Sequence, residues 1–190
     1  MDIRSYTFNE FVERVRVFHG YAAPGVLVGG FMVDLAYKHL PEEGLFDVLC
    51  ETPKCLPDAV QLLTPCTMGN GWLTILNTGR YALVIYDKST GEGVRISMDA
   101  AKLDAWPEIK GWFLKLIPKP DQDEERLRKE IEAAGSSIFS IRRVRIADCI
   151  FRKKRRGAIV ICTRCSEAYP VDDGIVCLHC QGEGLYAESD

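Results

Sequence analysis

The sequence predicts an α+β fold: helices packed on an antiparallel β-meander core, followed by a small C-terminal four-cysteine zinc module of treble-clef or zinc-ribbon type. Three observations carry this reading. Capped helical periodicity opens the chain, short apolar runs broken by glycine turns follow, and two Cys-x-x-Cys pairs close it. With 190 residues the chain holds one good-sized domain and a small appendage.

Thr7 and Glu10 have capping-box spacing ahead of FVERVRVF, and Gly20 follows as a stop. This predicts a helix from about Phe8 to Phe18 with Phe8, Phe11, Val15 and Phe18 on one face. Pro24 suits the first turn of a second helix, halted at Pro41, and His19 lies in the elbow between the two. Gly29 and Gly30 each cost that helix about 1 kcal/mol relative to Ala, which close approach by another helix would explain, from this chain or a second copy of it.

LFDVLCET reads as a strand, and Pro57 opens the short helix PDAVQLLT. After the Gly69-Asn70-Gly71 turn, WLTILN, YALVIYD and GVRISM alternate with NTGR and KSTGE, the pattern of an antiparallel meander. Helical stretches follow around DAAKLDAW to FLKLI and DQDEERLRKEIEAA, with PKPDQD between them as a break, so the second reads as an arm at about 121–135. SIFSIRRVRI is extended again. RKKRRG marks a boundary, giving a core domain of residues 1–156 and a zinc-binding module of residues 157–190.

Net charge is −3, so binding to nucleic acid would have to rest on local charge. The N-terminus lacks a basic region followed by an apolar one, and the longest apolar run, AAPGVLVGGFMV, is too short to span a bilayer. A cytoplasmic, reducing location is expected, with no membrane partner. There eight cysteines point to metal binding or chemistry rather than disulfides.

Cys162-x2-Cys165 and Cys177-x2-Cys180 are separated by eleven residues. Each pair turns two sulfurs toward one ion, and two pairs complete the tetrahedral four-thiolate shell of a closed structural zinc site. Pro170 and Asp172-Asp173-Gly174 suit the turn of an intervening hairpin, and His179 is expected to be exposed. The segment has too few apolar residues for a core of its own, so zinc must supply its stability.

Cys55 precedes the helix begun by Pro57, where free amides and the helix dipole favour a thiolate, and Asp58 faces the same spot. His19 and Cys55 are therefore candidates for catalysis or for a core metal site, against the plainer reading of a packed thiol and a surface imidazole. Cys50 and Cys149 read as strand packing. Cys66 either reaches the site or only packs.

The motifs Phe18-His19-Gly20, Pro24-Gly25, Glu51-Thr52, Cys55, Asp58-Ala59-Val60-Gln61, Cys66-Thr67 and Gly69-Asn70-Gly71 occur in an order that resembles the FmdE family, named for a small component of formylmethanofuran dehydrogenase. The resemblance covers roughly residues 8–150. It implies an α+β core that pairs into a homodimer, a metal or active site built from the elbow and the later cysteine, and association with a redox enzyme. His19 and Cys55 carry over directly. Tyr21 stands where the family commonly has a second His, and Ala23 replaces its usual Cys. The core site here therefore binds a second metal weakly, draws on Asp58, Cys66 or water, or has lost its chemistry. Nothing resembles a molybdopterin-binding catalytic chain, so oxidation of formylmethanofuran by this protein alone is not expected.

Arg142, Arg143, Arg145, Arg152, Lys153, Lys154, Arg155 and Arg156 fall within fifteen residues. Beside a zinc module they suggest a second function class, a noncatalytic module binding nucleic acid or a protein partner. The plainer reading is a solvated strand and linker that balances the acidic helix. A metal count separates the two classes, since only the first expects more than one metal per chain.

Overall fold

The structure, a computed structural model, describes residues 2–147, 157–184 and 186. Contacts divide the chain into two units, Met1–Ala147 and Asp148–Asp190. Among the described residues no helix is long and apolar enough to cross a membrane.

In the first unit a small hairpin of β1 (Asp2–Ile3) and β2 (Tyr6–Thr7) leads into α1 (Phe8–His19). The capping box forms as the spacing predicts: Thr7 accepts from the Glu10 amide, and the Glu10 carboxylate accepts from the Thr7 amide. Gly20 ends the helix at φ 93°. Phe8, Phe11, Val12 and Val15 form the buried face, whereas Phe18 is 51% exposed, contrary to the expected stripe. A seven-residue advance from Phe11 carries Phe18 beyond the elbow edge, and Val12 fills the stripe instead.

The next helix, α2 (Pro24–Tyr37), begins at the predicted proline. Every residue from Gly25 to Ala36 is buried, so it is the central helix of the domain rather than a surface one. Its glycines let neighbours approach, and both neighbours belong to the same chain. A β-carbon on Gly29 would sit 2.7 Å from the Ala59 β-carbon, and one on Gly30 2.3 Å from the Phe11 ring. Phe11 is fully buried and has no room to retreat. Gly30→Ala should therefore lower stability: overpacking costs about 1–3 kcal/mol, more than the roughly 1 kcal/mol gained in helix propensity. A thermal melt of the variant checks this.

The remaining elements of the unit are β3 (Phe46–Cys50), α3 (Leu56–Leu63), β4 (Leu73–Ile75), β5 (Ala82–Asp87), β6 (Glu92–Met98), α4 (Pro107–Phe113), α5 (Glu124–Ala134) and β7 (Phe139–Arg145). The five-stranded sheet has the order β4-β3-β5-β6-β7 and is antiparallel except for β4, which runs parallel to β3. The meander expected from WLTILN onward thus loses its first strand. Between β3 and β4 lies α3, and a helical crossover returns the chain in the same direction. The other edge of β3 is left for β5. Nor is the stretch at 121–135 an arm: α5 buries Leu127, Ile131 and Ala134 in the main core.

Glu51, just after β3, is buried and holds two cations. Its carboxylate receives Arg95 Nε at 2.6 Å and Nη2 at 3.0 Å, Arg80 Nε at 2.7 Å and the Thr78 hydroxyl at 3.1 Å. These bonds hold its carboxyl below the usual carboxylate range, the Arg95 hydrogen bonds contributing most. The network anchors the loop that carries Cys55.

In the second unit, β8 (Ile159–Ile161) and β9 (Ala168–Pro170) pair antiparallel. The hairpin turn is the first cysteine pair itself. Cys162 N–H donates to Glu167 O, and Ser166 N–H donates back to Cys162 O. Asp172 and Asp173 lie in a short 3-10 turn that leads to the second pair, not in the hairpin turn.

Candidate functional site

In the tail, the sulfurs of Cys162, Cys165, Cys177 and Cys180 lie within 4.8 Å of one another. Cys162 and Cys177 are buried against Tyr169, whose hydroxyl donates to the carbonyls of Gly174 and Ile175 at 3.0 and 2.8 Å. Arg164 clamps the Cys180 carbonyl at 2.8 Å. Amide N–H groups of Cys165 and Cys177 pull the Cys162 thiol down to about 6, whereas burial pushes Cys180 up to about 12. Four soft donors converging on one point, with amides directed at sulfur, fit a tetrahedral zinc ion. His179 is half-buried under the Tyr186 ring, 4.7 Å between centroids, instead of standing free in solvent.

In the core, the elbow His meets the helix acid. His19 Nδ1 lies 2.6 Å from Asp58 Oδ2, with the two side chains 19% and 31% exposed. With Nδ1 taken up by the carboxylate, Nε2 is the ring nitrogen left to face a metal. Tyr21 tilts against the His19 ring at 5.2 Å, and the Lys119 ammonium lies over Tyr21 at 5.3 Å.

Cys55 is the residue before α3, in an uncommon conformation of φ 58°, ψ −49°. Leu56 N–H donates to Lys54 O at 2.6 Å across it, which makes Cys55 the centre of a γ-turn of the rarer, strained hand. A non-glycine residue held there costs about 1–3 kcal/mol and persists only where its surroundings fix it. Burial, then the Asp58 charge, push its thiol up; Lys54 and Lys119 oppose this only in part. Loss of hydration thus works against the thiolate that the helix N-terminus would favour.

The other thiols lie elsewhere. Cys50 is core, pushed up to about 12 by burial. Cys66 donates to the Phe46 carbonyl and neighbours Asp47 and Lys88, so its contacts are packing contacts. Among the described residues only the tail cysteines bring three or more His, Cys, Asp or Glu ligand atoms within 4.8 Å. Arg142, Arg143 and Arg145 are exposed on β7, while Cys149 and residues 152–156 lie outside the described residues.

Residues 18–147 match the family described as FmdE, molybdenum formylmethanofuran dehydrogenase operon, and residues 153–187 match the FmdE treble clef zinc finger. The chain belongs to the FmdE family. A tungsten formylmethanofuran dehydrogenase FmdE-like protein from Syntrophus aciditrophicus has a crystal structure similar to this FmdE chain. Its identity is 55% and its TM-score 0.92, with 98% of each chain covered. A probable S-adenosyl-L-methionine-binding protein from Archaeoglobus fulgidus is 30% identical over 89% of this chain. The FmdE chain spans about half (52%) of that protein.

The tail of this FmdE protein is thus a treble-clef zinc finger, and Cys162, Cys165, Cys177 and Cys180 are the residues that fit a structural zinc. Two residues beside Cys55 were not singled out from sequence. A β-carbon on Gly25 would lie 2.7 Å from the Cys55 β-carbon and 3.0 Å from its sulfur. Tyr81 donates to the Gly25 carbonyl at 2.5 Å. Gly25 stood inside the Pro24-Gly25 motif, but Tyr81 comes from β-strand flanking sequence and carried no signal.

Proposed function

We propose that this FmdE protein is a metal-binding accessory protein of redox chemistry, working as a homodimer beside a redox enzyme. Its core site would hold a second metal ion through His19 Nε2 and Cys55 Sγ, with Asp58 orienting the imidazole. The observation that supports this best is the 2.6 Å His19–Asp58 contact, the carboxylate–histidine pairing that metal sites use to fix a ring and raise its basicity. The strained turn at Cys55 agrees with it. Ala23 at the N-terminus of α2 offers no ligand, so water or a partner completes the shell.

A divalent ion would lower the Cys55 thiol pKa on binding, so occupancy should rise with pH as the thiol gives up its proton. Cobalt titration of zinc-replete protein tests the site. The expected result is a thiolate-to-cobalt absorption band that Cys55→Ser removes and His19→Ala weakens about tenfold in affinity, with tail zinc retained. Equal spectra for wild type and both variants would contradict the site.

A further inference from the structure

At the opposite end of α2 from Cys55, the sheet and the loop after the helix border an open cavity of about 580 Å³. The helix has fourteen residues, which at 1.5 Å per residue separates the two places by roughly 20 Å. The cavity is therefore independent of the metal reading. Its volume falls within the range of small-molecule sites. Leu40, Pro41, Phe46 and Val94 give it an apolar wall, and Arg143 and Arg145 give it charge.

Arg143 and Arg145 are alternate residues of β7, so their side chains leave the same face about 7 Å apart. Neither guanidinium forms an ion pair or hydrogen bond with another described residue. The cavity also carries two acids, Asp87 and Glu92. Asp87 is committed to its own turn, where Oδ1 accepts from the amides and hydroxyls of Ser89 and Thr90. Glu92 lies opposite Arg145 in register, so the lining holds two carboxylates and two guanidinium groups, and what the arginines offer a ligand is their unused donors. His39 is occupied with the Leu35 carbonyl. Two planar five-donor forks beside an apolar wall match a carboxylate or phosphate attached to a flat or aliphatic body.

We propose that this cavity binds a small amphipathic anion, its carboxylate or phosphate held by Arg143 and Arg145 and its body laid against Phe46, Leu40 and Val94. This gives the arginines of β7 a ligand that is neither a nucleic acid nor the core metal.

Calorimetric titration of the zinc-replete full chain with naphthyl phosphate, naphthoate and inorganic phosphate tests the proposal. One equivalent of at least one naphthyl anion should bind saturably, and the tighter of the two tells a phosphate from a carboxylate ligand. Inorganic phosphate should bind at least about tenfold more weakly, because it leaves the apolar wall empty. Arg143→Gln and Arg145→Gln, both at exposed positions, should each weaken the naphthyl anion about tenfold or more, and His19→Ala should leave it unchanged. No saturable binding of either naphthyl anion would overturn the proposal. So would binding indifferent to both arginine substitutions, or inorganic phosphate binding as tightly as its naphthyl ester.

Discussion

Removing zinc should unfold the tail and leave the first unit folded. Among the described residues of the tail, the buried cluster contains, apart from cysteines, only Tyr169, with Val160 and Val176 packed partly against it. That is too little apolar surface to offset the backbone entropy of about thirty residues. In finger peptides structural zinc contributes roughly 10–16 kcal/mol, far more than any contact in this hairpin. Chelation, or Cys165→Ser, should therefore make residues 157–184 cleavable by a nonspecific protease and collapse their amide resonances. The first unit, with its own core of α1, α2, α5 and the sheet, should melt as before. A tail that stays protease-resistant without metal would mean that something other than zinc orders it.

Glu51→Ala should strongly destabilise the first unit. It leaves Arg95, 15% exposed, beside a vacated carboxylate that was itself 6% exposed. Breaking a buried pair on one side costs about 3–5 kcal/mol, and the lower end applies because the Arg80 side of the network meets solvent. The sign with pH follows from the lowered carboxyl. Its contribution is fully present above the ordinary value of 4.5 and fades as pH falls through its lower folded value. Denaturant melts from neutral to acid pH should show wild type losing stability in that window, while Glu51→Ala, already low, shows a shallower decline. Because Glu51 anchors the loop that carries Cys55, the same variant should weaken cobalt binding at the core site.

These results separate what local chemistry writes into a sequence from what only the folded chain decides. The capping box of Thr7 and Glu10, the proline start of α2 and the four tail cysteines depend on neighbours a few residues apart, so they were legible. The parallel placement of β4 was not, because which edge of β3 receives it depends on where α3 packs. The outward turn of Phe18 depends on the elbow rather than on helical period. Both partners of the His19–Asp58 bond were visible, as was Cys55, but the bond joins residues 39 positions apart. The γ-turn at Cys55 carried no signal at all: positive φ is announced by Gly or Asn, and here a cysteine adopts it. Tyr81 reaches Gly25 across 56 residues and was equally hidden.

If the proposed function is right, one ion closes the tail and a second is held by His19 and Cys55. Anomalous diffraction at the zinc edge, from crystals of zinc-replete protein, tests it most directly. Two peaks per chain are predicted, one amid the four tail sulfurs and one bridging His19 Nε2 and Cys55 Sγ with Asp58 outside the shell. A peak in the tail with none beside His19 in any copy would contradict the core site.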